Sequence, residues 1–264
     1  MSLIVVIPAR YASTRYPGKP LVPLTGASGH ARSLIRRSWD AGMAVAGVDR
    51  VVVATDDNRI ADHVRGFGAE VVMTPESCRN GTERCAAAMP ALEVQDDDVI
   101  VNLQGDAPLT PPWFIAGLAA AMTNAEVTTP VLRMDAEALC GFKEDRLAGR
   151  VGGTTAVFDH NQTALYFSKE VIPYTGRAFE DGDTIPVFHH VGVYAYRPSA
   201  LRAYADWSEG TLEKWEGLEQ LRFMEHGTPV TCVEVQSQGR AFWELNNPSD
   251  VGRIEAILKV QGID

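Results

Sequence analysis

Short apolar runs alternate along the chain with longer stretches whose apolar residues recur at helical spacing. LIVVIP (3–8), RVVVAT (50–55), AEVVM (69–73), DVIVNL (98–103) and EVTTPVL (126–132) have the length and β-branched content of strands. Between them, residues 30–45, 57–67, 82–93 and 111–123 carry the period of helices, the last opening on Pro111-Pro112, where proline suits a first helical turn. Strands that read as near-continuous apolar runs, alternating with helices, predict an α/β fold built on a doubly wound, mostly parallel sheet. Past residue 135 the alternation loosens. TTAVFD (154–159), TALYFS (163–168) and FHHVGVYAYR (188–197) read as further strands, PYTGRAFEDGDTIP (173–186) as a polar loop, and 198–206, 211–226 and 248–261 as helices. Nothing in the pattern looks like a repeat or a linker. One domain over 1–264, with a smaller lobe inserted on the substrate side, is the expected organisation.

Composition narrows the partners. A hydrophobic fraction of 45% with 22% charged residues suits a globular chain with a sizeable core. The net charge of −10 and pI near 5.1 leave no broad basic face, which excludes general nucleic-acid or anionic-membrane binding. The first apolar run is too short for a spanning helix and has no charged leader, so a cytoplasmic protein is expected. Cys78, Cys85, Cys140 and Cys232 form no C-x-x-C pair and read as free thiols. His189 and His190, adjacent on a strand, would face opposite sides and make no zinc pair.

Any anion site must therefore be local, and PARYASTRYPGKPL (8–21) supplies one. Arg10, Arg15 and Lys19 fall together there without an acidic residue. Open α/β sheets bind ligands beyond the carboxyl ends of their strands, and this loop follows the first strand. ATDD (54–57) and LQGDAPL (103–109) follow two others. The loop matches neither a Walker motif nor G-x-G-x-x-G. Its logic is related, since a guanidinium fork holds two phosphate oxygens and a lysine acts as a mobile point charge. Pro17-Gly18 would hold Lys19 close to the strand end. Aspartate in a turn is common. Beside three cations, however, Asp106 becomes a candidate ligand for Mg²⁺, which takes one or two carboxylates plus substrate phosphates. Together these features point to phosphoryl or nucleotidyl transfer.

IPARYASTRYPGKPL, VATDD, NGTER, VNLQGD, ALYFSKEVIP, HHVGVYAYR and LEQLR stand in the order and spacing of the 3-deoxy-manno-octulosonate (Kdo) cytidylyltransferases, which the chain resembles from residue 3 to about 258. The resemblance implies that a 2-keto sugar acid attacks the α-phosphate of CTP, with Mg²⁺, to give a CMP-sugar and pyrophosphate. It implies that Arg10, Arg15 and Lys19 neutralise the triphosphate and the leaving pyrophosphate. Ala9, Gly81, Thr82, Glu83 and Arg84 match nucleotide-binding positions. Asp106 matches a metal ligand, and Gln104, Lys169, His190, Tyr194, Glu219 and Gln220 match the sugar-acid pocket. Plainer roles stand beside these: Tyr194 as strand core, Glu219 as a solvated helix face, Thr82 as a helix cap. The resemblance also implies a homodimer, and a product that feeds lipopolysaccharide or capsule assembly.

The chain departs from the family pattern in four places. Ala107 stands where Glu is usual, Thr155 where a Lys is, Lys169 where an Arg is, and Asn246 where a second metal-binding Asp is. Asparagine keeps an oxygen donor but loses a charge. Glu244 shares a face with residue 246 in extended chain, yet a ligand moved by two residues needs a new backbone path, so the expected metal set is Asp106 and Asn246. These changes touch the acceptor side more than the nucleotide side. A nucleotidyltransferase with another sugar acid, or a nucleotide- or sugar-acid-binding protein without turnover, are the other two readings.

Overall fold

The computed structural model describes residues 1–264 apart from Thr14, Gly152 and Asp181, so the opening loop is described without Thr14 and the 173–186 segment without Asp181. The first half runs β1 (Leu3–Ala9), a ribbon of β2 (Pro23–Thr25) and β3 (Ala31–Ser33), α1 (Leu34–Met43), β4 (Arg50–Thr55), α2 (Asn58–Gly66), β5 (Glu70–Met73), α3 (Gly81–Leu92), β6 (Val99–Leu103) and α4 (Pro112–Ala121). The second runs β7 (Val127–Arg133), α5 (Ala136–Leu147), β8 (Thr154–Phe158), β9 (Ala164–Ser168), β10 (Phe188–His190), β11 (Val193–Tyr196), α6 (Pro198–Asp206), α7 (Thr211–Glu216), α8 (Leu221–Glu225), β12 (Thr231–Glu234) and α9 (Asp250–Val260).

One large sheet carries the strand order β5-β4-β1-β6-β11-β7-β10-β8-β9, with β12 on the other edge of β7. From the pairings, β4, β5, β6, β7, β8 and β12 share the direction of β1, while β9, β10 and β11 run against it. The central strands are buried on both faces. Along β1, Ile4 and Val6 pack with α3 and α6 residues such as Met89 and Leu201, whereas Val5, Ile7 and Ala9 pack with Ile35 of α1, Ile60 of α2 and Phe114 of α4. That two-sided burial is why the strands read as unbroken apolar runs.

The 30–45 helix starts later than its spacing suggests. Ala31–Ser33 is taken up by pairing with β2, and the Ser33 hydroxyl then accepts the Arg36 N–H to cap α1. The 188–197 strand is broken at Val191-Gly192. Its register against β7 shifts there, from His190 opposite Val131 to Ala195 opposite Thr128. The free edge of this kinked strand meets β6 along β11 and β8 along β10, so the β8–β9 hairpin starts where β6 ends. That hairpin curls until Thr163, just before β9, bridges Thr231 of β12. The 211–226 helix divides at Gly217, whose φ of 62° only glycine adopts freely. Helix α5 buries only Leu139 and β12 is four residues long, so neither left a strong pattern.

Candidate active site

Two adjoining chambers open beyond the carboxyl ends of β1 and β6. The first, about 330 Å³, is lined by Ala9, Arg10, Arg15, Lys19, Gly81, Arg84, Gln104 and Asp106, among others. Local chain geometry explains the cationic wall. Gly18, at φ 71°, turns the loop so that its N–H bonds the Tyr11 carbonyl at 3.0 Å, and Lys19 begins a 3-10 turn that points back to the strand end. The Lys19 ammonium lies 2.6 Å from the Asp106 carboxylate. Arg84 is nearly fully buried and donates to Asp56 at 2.9 Å and to Thr74 at 2.7 Å, so the ATDD stretch holds a site arginine in place.

The other wall is the start of α3. Asn80 caps that helix by accepting the Glu83 N–H, and Glu83 accepts the Arg79 N–H in return. Gly81 is required by close approach: a Cβ there would stand 2.8 Å from Nδ2 of Asn102 and 2.9 Å from Nε2 of Gln104. Thr82 lines neither chamber. It is buried with its hydroxyl 2.8 Å from that of Tyr196, and the capping role expected of it belongs to Asn80.

The second chamber, about 460 Å³, shares Arg15, Arg79, Asn80, Gln104, Asp106 and Glu219 with the first. It adds Gly192 and Tyr194 from the bulged strand, Gln220, and both Glu244 and Asn246. The Tyr194 hydroxyl donates to Oε1 of Gln220 at 3.0 Å, and Nε2 of Gln220 has no partner among the described residues. An orphaned buried donor of that kind is an opening for a polar ligand. Glu219 accepts the Thr82 N–H at 3.3 Å and the amides of Gln104 and Asn102 at 3.3 and 3.4 Å. Burial still pushes its carboxyl up to about 7.

His190 is buried behind this wall, 2.9 Å from the Thr129 hydroxyl and against the Phe167 and Tyr194 rings. Burial, then the neighbouring His189, lowers it to about 3, so it is a neutral ring that backs Tyr194. His189 points to the opposite side, toward Phe142 and Phe242. Lys169 lies at the rim, its ammonium over Gly217. Thr155 bonds the Ser168 and Glu170 carbonyls and contributes no side chain to either chamber.

The segment 243–247 is tied directly to Asp106. The Leu245 N–H bonds the Asp106 carbonyl at 2.9 Å, and Leu245 itself is fully buried against α9. Glu244 and Asn246, on either side of it, both face the second chamber. Burial first, and then the charge of Asp106, raise Glu244 to about 7. Arg79, Asn80 and Glu209 also line the second chamber and were not foreseen; the basic residue just ahead of NGTER was the available sign of Arg79.

Among the described residues no helix is long and apolar enough to cross a membrane, and all four cysteines are free thiols. The sequence model of the cytidylyltransferases matches residues 4–234. A 3-deoxy-manno-octulosonate cytidylyltransferase of Maricaulis maris is 42% identical over 99% of both chains. The mitochondrial one of Arabidopsis thaliana is 37% identical over 97% of this chain and 83% of its own. A solved structure of CMP:2-keto-3-deoxy-manno-octonic acid synthetase complexed with CTP superposes with a TM-score of 0.82, at 32% identity over 99% of this chain and 100% of that one. With its sheet, its cationic loop and these likenesses all spanning the same chain, the protein belongs to the 3-deoxy-manno-octulosonate cytidylyltransferase family.

Proposed function

We propose that the protein transfers CMP from CTP to a 2-keto sugar acid, with Kdo as acceptor, and releases pyrophosphate. The observation that carries this reading is the seam between the chambers. A phosphate in the cationic chamber and a hydroxyl in the polar chamber would meet beside Arg15, Gln104 and Asp106, which line both. In-line displacement needs alignment and charge neutralisation rather than a protein nucleophile. Arg10, Arg15 and Lys19 offer cations to the triphosphate and to the departing pyrophosphate. The start of α3 forms the nucleoside end through Gly81 and Arg84, with Thr82 buried behind them against Tyr196, and Ala9 lines the same chamber. In the acceptor chamber Gln104, Tyr194, Glu219 and Gln220 offer donors and acceptors to sugar hydroxyls, Lys169 a rim cation for the acid's carboxylate, and His190 a fixed backing for Tyr194.

Oxygen donors gather beside the seam: Asp106 lines both chambers, and Glu244 and Asn246, the latter with its amide oxygen on Arg15, line the second. Two carboxylates on one chamber wall fit a hard divalent cation such as Mg²⁺. Mg²⁺ takes one or two carboxylates and leaves its other positions to water and substrate phosphates. When bound, Mg²⁺ would supply charge neutralisation at the reacting phosphate. A homodimer in the cytoplasm, where CTP is made, completes the reading, and exposed Leu165 on β9 offers apolar surface for such contact.

Pyrophosphate release should be measured with each of the four nucleoside triphosphates against eight- and nine-carbon 2-keto sugar acids. Turnover with CTP and Kdo, and far less with ATP or GTP, is expected. Equal turnover with a purine triphosphate would sink the base assignment. No release with any pair would leave a binding protein.

A further inference from the structure

We infer that Glu244, and not Asn246, is the protein's second ligand to the divalent cation at Asp106, and that Asn246 is a positioning residue that aims Glu244. This rests on the function proposed above and extends it to a residue outside the expected metal set.

The backbone makes the assignment possible. Because the Leu245 N–H is bonded to the Asp106 carbonyl at 2.9 Å, the two flanking side chains straddle the aspartate. Leu245 is buried on the α9 side, so Glu244 and Asn246 both point the other way, into the chamber that Asp106 lines. The two ends of the Asn246 amide are then distinguished by their partners. Its oxygen accepts from a guanidinium nitrogen of Arg15 at 2.9 Å. Its amide nitrogen, which cannot ligate a cation, faces Oε2 of Glu244 at 3.4 Å. The oxygen a metal would need is thus turned to Arg15, and the whole amide serves as a spacer between Arg15 and Glu244. The turn that presents it is fixed from outside, since Asp250 accepts the N–H groups of Asn246 and Asn247 at 2.9 and 2.6 Å.

Glu244 has the opposite character. Its other carboxylate oxygen is turned toward the Val191-Gly192 bulge, where a Cβ on Gly192 would stand 3.8 Å from it. No side chain larger than hydrogen fills that space, which keeps the carboxylate open to the chamber. Lys19 marks where a cation belongs, because its ammonium already sits 2.6 Å from Asp106. A divalent ion that displaces it would find carboxylate oxygen from Asp106 and Glu244, the charge count suited to a hard cation.

The test is a Mn²⁺ titration of the free enzyme, followed by the EPR signal of unbound Mn²⁺, with turnover assayed on the same samples. Asp106→Asn should remove binding. Glu244→Gln, which keeps the shape, should weaken Mn²⁺ at least about ten-fold, whereas Asn246→Ala should stay within about three-fold, a smaller loss than most ligand-orienting residues show. Glu244→Asp keeps the charge but draws it back, and should fall between wild type and Glu244→Gln; it decides the matter should the glutamine variant fold poorly by circular dichroism. The inference is overturned if Glu244→Gln and Glu244→Asp bind Mn²⁺ as the wild type does, or if Asn246→Ala loses as much as Glu244→Gln. A wild type that binds Mn²⁺ through Glu244 yet turns over no substrate would overturn the proposed function and leave this assignment standing.

Discussion

Apart from Glu219, the first chamber is made from the ends of parallel strands and the chain that leads into the next helix, residues 8–20, 78–84 and 104–106. The second takes Gly192 and Tyr194 from a bulged antiparallel strand, residues 209–220 from a helix broken at Gly217, and Glu244 and Asn246 from irregular chain. In the first, a short motif and the strand before it fix the chemistry together. In the second, the lining residues meet only through tertiary structure. The first chamber is therefore constrained locally. The second can exchange residues, as Asn246 on its wall and Lys169 at its rim do, provided the packing behind them holds.

The strongest way to break this contrast is at the seam, which belongs to both chambers. Asp106→Asn should lower kcat at least about a thousand-fold, because electrostatic help at the reacting phosphate is worth several kcal/mol. A thermal melt close to the wild type's should accompany it, and activity near normal at low Mg²⁺ would remove Asp106 from the site.

One step from the seam, Lys19→Ala should cost roughly ten- to hundred-fold in rate, the loss of a charge-assisted contact of about 1.5–3 kcal/mol. Arg15→Ala should cost a similar factor and also raise KM for the sugar acid, since Arg15 lines both chambers and Lys19 lines the first. Steady-state kinetics in each substrate separates the two. Identical behaviour of both variants would erase the distinction between chambers.

A subtler difference lies in Glu219. Its carboxyl rises from about 4.5 to about 7 on burial, so it holds its proton more tightly folded than unfolded. That contribution to stability is whole below about pH 4.5 and is lost as pH rises through about 7. Glu219→Gln should flatten the fall in melting temperature between those pH values, by a few degrees at about 2–4 °C per kcal/mol. Melts at several pH values check it, and curves parallel to the wild type's would place the carboxylate in open water. The smallest effect is expected at the rim. Lys169→Ala should raise KM for the sugar acid about two- to five-fold, as an exposed charge pair worth under about 1 kcal/mol does, and leave KM for CTP unchanged.

How much the sequence disclosed follows the same division. The apolar runs of β1, β4 and β6 could be read directly, because strands buried on both faces leave no polar interruptions, and the edge strand β5 from its paired valines. Arg10, Arg15, Lys19 and Asp106 could be read from one loop and one turn. Thr82 and His190 carried the right neighbourhood but the wrong depth: one supports Tyr196 and the other backs Tyr194, and burial is not written in a motif. Arg79 was hidden because its role depends on Glu83 and Glu209, the latter 130 positions away. The facing of Glu244 depends on one bond between Leu245 and Asp106, which no periodicity signals. Helix α5 and strand β12 escaped for want of an apolar face and of length.

The slot between β6 and β7 has a further consequence, for the chain as it is being made. β6 and β7 are complete by residue 133, yet they are not neighbours; β11, residues 193–196, must come between them. A nascent chain that stops between residues 133 and 193 therefore carries an unpaired β6 edge beside finished strands, the state most open to pairing with another chain. The order of synthesis thus delivers the cationic loop early and leaves the sheet that supports it unsealed until three quarters of the chain has emerged. Folding on the ribosome should show a single late gain in protease resistance as β11 enters, rather than stepwise growth from β1 outward.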